Sequence, residues 1–491
     1  MKFLIKFFIC GILTSLLFPP FFLIPIGFVI MPYLFLLLND KHYNILTYKK
    51  HFIAGFFYGL GFFTIYLEWI REPFLIDNLT KQYSIFSYLL IIYCSLYFGV
   101  VFFILKFLKN KTIKLVTLPS LIMIVEFISA NFSYGFSWFS FSLVHSSNII
   151  GTSLIYYLGT YGLSYLTLLI FFAPSILLIE NFKYRNFFVK IYFFMFIFLI
   201  IVVVSRSIRE DNINKIEKSI SLVQLNYESN QYLNNANLLK KNSDIINIIA
   251  RNQSDIIVFG ENDYPFMMDE SNIQLLQKNI KEEQIIIIGA TRKEDKQYYN
   301  SLFLVEKNKY QVFDKKILVP FGEFIPLRSL FNFMEFIAGT IDFTIGKNKR
   351  IFDLNNNLKI LPIICYEITY FWKLIDDDNK DSNLIINLTN DSWFGTFSGP
   401  YQHFYFTKLR AAEFNKTLIR TSNNGVSAAI NRYGEVIDYI ELDQKKTQTL
   451  NIQIPENKTN YLNIHKWIIF FIFIFLFICL VIDKKNEYKK I

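Results

Sequence analysis

Eight stretches of the chain approach the roughly 20 apolar residues that a helix needs to cross a bilayer. They lie near residues 3–18, 21–38, 52–70, 84–106, 114–131, 152–178, 190–205 and 464–482. In lipid such a segment must satisfy its own backbone hydrogen bonds, which a helix does. The first run is short and carries Lys6. No small-x-small cleavage site follows it, and Pro19-Pro20 leads directly into the next run, so the pair reads as a helical hairpin and not as a secretory signal. Residues 206–463 are polar throughout, rich in Asn, Lys, Asp and Ser. Three parts are expected: a transmembrane region of seven helices over 1–205, a water-facing domain over 206–463, and a last transmembrane helix with a basic tail over 464–491.

Charge orients these parts. The formal net charge is +10, yet the lysines gather in short loops and not on a basic helix, finger or aromatic platform, which argues against nucleic acid as a partner. Lys2; Lys41, Lys49 and Lys50; Lys106, Lys109, Lys111 and Lys114; Lys183, Arg185 and Lys190; and Lys484, Lys485, Lys489 and Lys490 all fall on one side if the spans number eight. The opposite loops carry little net charge. The positive-inside rule then puts both termini in the cytoplasm and residues 206–463 outside it, in the periplasm of a bacterium.

Two spans contain acids, and intramembrane carboxylates are functional candidates by default. Glu68 reads as an interfacial residue beside Trp69 and Arg71, whereas Glu126 lies nearer mid-span. The loop 132–150 is uncharged and includes Gly135-Phe136-Ser137-Trp138. It fits either a dip into the headgroup layer or an ordinary aromatic belt.

The polar domain alternates strand-like and helical runs, an α/β pattern. Strands are expected at Ser219–Asn226, Asp255–Phe259, Gln284–Ala290, Ser301–Glu306, Leu358–Cys365, Leu384–Leu388, Thr417–Arg420, Ser427–Ile430 and Thr449–Ile454, and helices near 232–250, 271–283, 367–379 and 400–415. Walker, G-x-G-x-x-G, G-x-S-x-G and H-E-x-x-H motifs are absent from the sequence. His403 is the domain's one histidine, so a zinc site or a His-based triad is poorly supplied.

Of four cysteines, Cys10, Cys94 and Cys479 lie in apolar spans and Cys365 stands alone in the polar domain. One cysteine excludes a disulfide within that domain. A lone cysteine is more often a buried small hydrophobe than a nucleophile. Here, however, Pro362-Ile363-Ile364 reads as a buried strand ending at Cys365-Tyr366-Glu367, and strand ends are where α/β enzymes place reactive groups. A reactive thiol needs a base and a cation beside it. Glu261 and Lys315 sit at comparable strand ends: the carboxylate can take and return a proton, and the ammonium can face an oxyanion, with a backbone amide near Tyr366 as second donor.

Glu261, Lys315 and Cys365, spaced by 54 and 50 residues, resemble the carbon–nitrogen hydrolase (nitrilase) superfamily. Longer words resemble its membrane-bound branch, the apolipoprotein N-acyltransferases. These are Lys315 through Val319-Pro320-Phe321-Gly322-Glu323, Ile364-Cys365-Tyr366-Glu367, Asn387-Leu388-Thr389-Asn390-Asp391-Ser392-Trp393-Phe394-Gly395, Gly399-Pro400 with Gln402-His403, Arg410-Ala411-Ala412-Glu413 and Arg420-Thr421-Ser422-Asn423-Asn424-Gly425. The likeness covers the whole chain, since eight spans with this domain before the last is the family's arrangement.

The resemblance implies an αββα sandwich on eight transmembrane helices, with Glu261 as base, Lys315 as oxyanion partner and Cys365 as nucleophile. It makes Glu323 a second glutamate beside the site, places Tyr366 and Glu367 as flanking residues, and gives Trp138 a substrate-binding part in the membrane region. The implied reaction moves an acyl chain from a phospholipid to Cys365, then to the α-amine of a diacylated lipoprotein, with no metal or organic cofactor. Two positions depart from the family pattern: Phe259-Gly260-Glu261 stands where Trp-Pro-Glu is usual, and Ile317 where a His is usual. Two other classes compete. A membrane-tethered amidase would need one anchor only, and a transporter with a periplasmic domain predicts repeats or broken spans around paired charges, for which Glu68 and Glu126 are the sole support.

Overall fold

The computed structural model describes residues 2–132, 134–179, 185–208, 214–335, 339, 341–354, 357–456 and 464–488. Lys183, Lys489 and Lys490 of the charge series lie outside the described residues. The chain divides into two compact units, one of Met1–Arg71, Gln82–Arg209 and Leu462–Ile491, the other of Glu72–Lys81 and Glu210–Tyr461.

The first unit is helical. Among the described residues five helices are long and apolar enough to cross a membrane: Lys81–Leu105, Lys111–Asn131, Ile149–Leu178, Arg185–Arg206 and Lys466–Lys485. A sixth is added if Tyr48–Tyr66 and Glu68–Leu75, bent by 71°, count as one span. Ile24–Asn39 is apolar but has 16 residues, and Lys2–Ser15 has 14. At 1.5 Å per residue these two reach about 24 and about 21 Å, short of the roughly 30 Å hydrocarbon core. Small residues bring the helices together. A Cβ at Gly55 would lie 2.2 Å from the Phe98 carbonyl oxygen, and one at Gly61 would lie 2.1 Å from that of Phe8.

Glu126 is buried and organises the uncharged loop. Its carboxylate accepts hydrogen bonds from the hydroxyls of Ser140 (2.7 Å) and Ser164 (2.9 Å) and from the Phe141 amide (3.0 Å). The Tyr66 hydroxyl donates to the Trp138 carbonyl at 2.9 Å, and the Trp138 ring, fully buried, packs on Trp69 at 4.5 Å. Glu68 pairs with Arg71 at 2.8 Å one helical turn away.

The second unit holds two six-stranded sheets. The first is built from β1 (Lys215–Gln224), β2 (Ile256–Val258), β3 (Ile285–Glu294), β4 (Gln297–Val305) and β5 (Tyr310–Asp314), with β12 (Lys446–Pro455) on its edge, in the order β12-β1-β2-β3-β4-β5. The other runs β11-β10-β9-β8-β7-β6, where β6 is Phe352–Asp353, β7 Lys359–Ile364, β8 Leu384–Thr389, β9 Thr417–Ser422, β10 Ser427–Ile430 and β11 Val436–Ile440. In each sheet three parallel strands, β1-β2-β3 and β7-β8-β9, form the centre.

Strand alternation sorts the side chains into layers. Ile220, Leu222, Ile256, Val258 and Ile287 face Ile360, Leu384, Ile386, Leu388 and Ile419 in one core between the sheets. Their neighbours Val223, Ile257, Ile286 and Ile288 point the other way and pack on Ile245, Ile249, Ile273 and Leu276 of helices Asn235–Arg251 and Glu270–Asn279. Helix Gly399–Phe414 packs on β9. Full burial of each such side chain contributes about 1.5–3 kcal/mol relative to exposure.

Two expectations need correction. Strands β5, β6 and β11 were not anticipated: β6 has two residues, and β11 alternates half-buried and exposed side chains, so neither shows an apolar run. The helix expected over 367–379 is replaced by 3-10 turns at Cys365–Thr369 and Phe371–Lys373. The cause is local competition for backbone donors. The Asp376 carboxylate accepts from the amides of Asp378 and Asn379, while the Asn379 side chain accepts from the Asp376 amide.

Candidate active site

Cys365 ends β7 in the left-handed region, at φ 49°. The chain therefore turns sharply where the strand stops, and Glu367, two residues on, folds back beneath the turn. Its fully buried carboxylate accepts from the Ile364 amide (2.9 Å), from the amides of Lys316 (2.9 Å) and Ile317 (3.2 Å), and from the Arg350 guanidinium (2.7 and 2.8 Å). Burial works against this charge, but Arg350 and the backbone amides of Ile364 and Lys316 together hold the Glu367 carboxyl below the usual range. One carboxylate thus ties the lysine segment to the nucleophile strand.

Lys315 follows β5, and the β4–β5 register sets Asn300 across from it, since Ser301 pairs with Asp314. The Lys315 ammonium donates to Glu261 Oε1 at 3.1 Å and to Glu323 Oε1 at 3.0 Å. Asn300 Nδ2 donates to the same two oxygens, at 2.8 and 2.7 Å. The outer oxygens are also held: Glu261 Oε2 by the Asn390 amide at 3.0 Å and Glu323 Oε2 by the Val319 amide at 2.8 Å. Lys315 is 1% exposed. Burial opposes its charge, yet the two glutamates together keep its pKa above that of an ordinary lysine. Burial raises Glu323, and Lys315 restrains that rise.

The thiol lies within reach of these charges. Burial pushes Cys365 well above the ordinary thiol value and Glu261 adds to the shift, while Lys315 opposes it. On the other side sits a second buried network. Thr389 Oγ1 is 3.4 Å from Cys365 Sγ and 2.8 Å from Asp391 Oδ1. Asp391 receives Arg420 at 2.6 Å, and His403 lies with Nδ1 2.8 Å from Asp391 Oδ1 and Nε2 3.2 Å from the Cys365 carbonyl oxygen. Burial would raise Asp391, but Arg420 and then His403 bring it down to about 2. Burial and the Arg420 charge lower His403.

Six of the seven expected residues, Glu261, Lys315, Glu323, Cys365, Tyr366 and Glu367, are gathered in the second unit. Tyr366 is buried, and its hydroxyl accepts from that of Tyr370 at 3.0 Å. Trp138 belongs to the first unit. Asn300, Arg350, Thr389, Asp391, His403 and Arg420 had no assigned part, although Thr389, Asp391, His403 and Arg420 stood inside the resembling words. Extending the antiparallel pairing back from Lys315 would have found Asn300. Among the described residues no group of three or more His, Cys, Asp or Glu side chains is arranged to hold a metal.

Residues 10–173 match the family model for the apolipoprotein N-acyltransferase N-terminal domain, and residues 219–460 match that for carbon–nitrogen hydrolases. The chain belongs to the apolipoprotein N-acyltransferase family of the carbon–nitrogen hydrolase superfamily. The family member from Rickettsia typhi is 25% identical over 462 residues, 89% of each chain. The one from Rhizobium etli is 37% identical over 207 residues, 39% of this chain and 38% of its own. A carbon–nitrogen hydrolase superfamily protein of Xanthomonas campestris, solved with an arsenic adduct in its active site, aligns with 48% of this chain and 91% of its own at 17% identity and a TM-score of 0.37.

In this acyltransferase-family chain, Arg350→Met should unmask how much the Glu367 tie carries. It strands a buried carboxylate, which costs about 3–5 kcal/mol, measurable by heat or denaturant unfolding of the purified protein. The pH dependence has a definite sign. A carboxylate whose folded pKa is depressed stabilises fully above its unfolded value and loses that contribution as pH falls through the folded one. Removing Arg350 raises the folded Glu367 value, so protonation of Glu367 relieves the stranded charge: the stability gap between Arg350→Met and the wild type should be largest near neutral pH and shrink as pH falls. An unchanged acid profile would show that Glu367 does not depend on Arg350.

Proposed function

We propose that this chain N-acylates bacterial lipoproteins by a two-step transfer through Cys365, within the inner membrane. The observation that carries the reading is the buried Glu261–Lys315–Glu323 cluster, whose charges act on a thiol that is otherwise held protonated. A protonated thiol needs a base at the moment of attack. Glu261 takes that proton as Cys365 Sγ adds to an ester carbonyl of a membrane phospholipid. Lys315, fixed and dry, faces the developing oxyanion, where such a charge acts most strongly. Collapse breaks the ester C–O bond, and the leaving lysophospholipid oxygen takes the proton from Glu261. The α-amine of an S-diacylglyceryl cysteine then attacks the thioester and gives its proton to Glu261. An amide forms, the C–S bond breaks, and the proton returns to the sulfur.

Both substrates are bilayer-anchored, which accounts for a hydrolase-like domain on so much apolar helix. In this reading residues 1–205 and 464–491 form the membrane part with eight spans, Lys2–Ser15 and Ile24–Asn39 being short ones served by local thinning. Residues 206–463 lie in the periplasm and the termini in the cytoplasm. Tyr366 lines the nucleophile turn, and Glu367 and Glu323 position the lysine. Trp138 and its partner Trp69 are both buried, so Trp138 serves substrate binding by packing that shapes the membrane part.

The acyl-enzyme is directly measurable. Incubation with phospholipid should add one fatty-acyl mass at Cys365, removable by hydroxylamine, and Cys365→Ala should abolish turnover at near-normal expression. An adduct on Cys10, Cys94 or Cys479 instead would sink the assignment.

Lys315 and Lys316 should part company. Lys315→Ala should lower the rate about 10²-fold or more, as loss of an oxyanion donor does. Lys316 serves Glu367 through its backbone amide and should tolerate Ala. Equal losses at both would refute the role given to Lys315.

Topology is tested with a reporter active only in the cytoplasm. Fusions after Lys50, Lys114 or Lys490 should give signal, and fusions near Asn214 or Asn457 should give none. Signal from the last two would put the thiol on the wrong side for a lipoprotein acceptor.

A further inference from the structure

Two carboxylates act on the Cys365 thiol, Glu261 and Asp391, and they are held very differently. Asp391 is fully buried between a guanidinium and an imidazole, with Arg420 at 2.6 Å from Oδ2 and His403 Nδ1 at 2.8 Å from Oδ1. Held at about 2, Asp391 is too weak a base to take a thiol proton. It nevertheless has a third neighbour, the Thr389 hydroxyl at 2.8 Å.

That hydroxyl also lies 3.4 Å from Cys365 Sγ, and it has one hydrogen to give. While the sulfur keeps its proton, the better acceptor is the charged carboxylate. Once the sulfur is a thiolate the balance changes. Asp391 keeps Arg420 and His403 if Thr389 turns away, whereas the thiolate, in a site that excludes water, gains a donor. Both acceptors are then ionised, and the hydroxyl serves the one without other donors, because an uncompensated buried charge costs most. We propose that Thr389 is a further catalytic residue, whose hydroxyl turns from Asp391 to the Cys365 sulfur as the thiol loses its proton. No proton of Thr389 is transferred: the thiol proton goes to Glu261, and only a hydrogen bond changes partner. The Asp391–Arg420–His403 group is then the mount that keeps this hydroxyl beside the sulfur and lets it go.

The inference rests on Cys365 being the nucleophile of the reaction proposed above. Its test uses alkylation, which needs no lipid. Full-length protein in detergent is treated with iodoacetamide across a pH range, and modification of Cys365 is followed by peptide mass spectrometry. Thr389→Val keeps the shape and removes the hydroxyl. It should slow alkylation about tenfold or more at each pH where the thiol is held protonated and the rate follows the small thiolate fraction, the usual effect of losing a hydrogen bond to a charged group. Thr389→Ser should restore most of the rate. If Thr389→Val does not keep its fold on heating, Thr389→Ala replaces it. An unchanged rate, a faster reaction, or equal losses in the hydroxyl-free and serine variants would overturn the proposal. Wild-type protein that shows this contrast but never carries an acyl group would sink the acyl-transfer reading alone.

Discussion

The site depends on one ammonium between two buried carboxylates. Glu261 and Glu323 each place an oxygen about 3 Å from Lys315 Nζ, and two like charges this close cannot both stay ionised in a dry site without a cation between them. Lys315 makes the pair possible, and Asn300 fixes it by donating to the same two oxygens. Neither glutamate can swing away without stranding the lysine, and the lysine cannot leave without setting the glutamates against each other. Such a cluster stabilises the protein weakly at best, because desolvation consumes most of the Coulomb gain. What it gives is position: a carboxylate and a cation, fixed against each other, whose charges act on the Cys365 thiol.

Position then has to be carried from one sheet to the other. Glu261 and Lys315 come from the ends of β2 and β5 in the first sheet, Cys365 from the end of β7 in the second. Beside a bond from the Glu261 amide to the Thr389 carbonyl at 3.3 Å, two carboxylate contacts close that gap. The Asn390 amide, just past β8, holds Glu261 Oε2, and Glu367, just past β7, holds the amides of Lys316 and Ile317. Both are bonds between a carboxylate and backbone amides of the opposite half. Surface substitutions therefore leave the geometry alone, while changes to the carboxylates' own partners do not. Asp391 adds a division of labour: of the two acids near the thiol, the Arg420 guanidinium and His403 hold Asp391 ionised and weakly basic, which in the proposed reaction leaves proton transfer to Glu261.

Much of this was legible in the sequence, for identifiable reasons. The apolar runs and the parallel strands announced themselves because burial on both faces demands unbroken Ile, Leu and Val, as in Ile256–Val258 and Leu384–Ile386. Glu261, Lys315, Glu323 and Cys365 stood out because each sits in a distinctive word at a strand end. Asn300 and Arg350 did not, since a lone Asn in a strand or an Arg in a loop acquires meaning only from a partner far along the chain. The same holds for Glu126, whose three donors come from residues 140, 141 and 164. The region after Cys365 misled because its composition suits a helix, while Asp376 and Asn379 capture the backbone donors a helix would use.

The two departures from the family's words have a physical account that leaves the site intact. Where proline is usual before the base, Gly260 has an amide, and that amide donates to Asp263 Oδ2 at 2.6 Å. Proline could not make this bond. Asp263 is itself fully buried, with the Lys241 ammonium 3.6 Å away, so the loop entering Glu261 is held by a polar tie in place of a rigid ring. A side chain at Gly260 is also excluded by space, because a Cβ there would lie 2.8 Å from the Asn423 amide nitrogen. At the second departure, Ile317 reaches the site through its amide, which donates to Glu367 at 3.2 Å. That bond is indifferent to the side chain. Both changes fall where the backbone, and not the replaced side chain, bears on the base and the lysine.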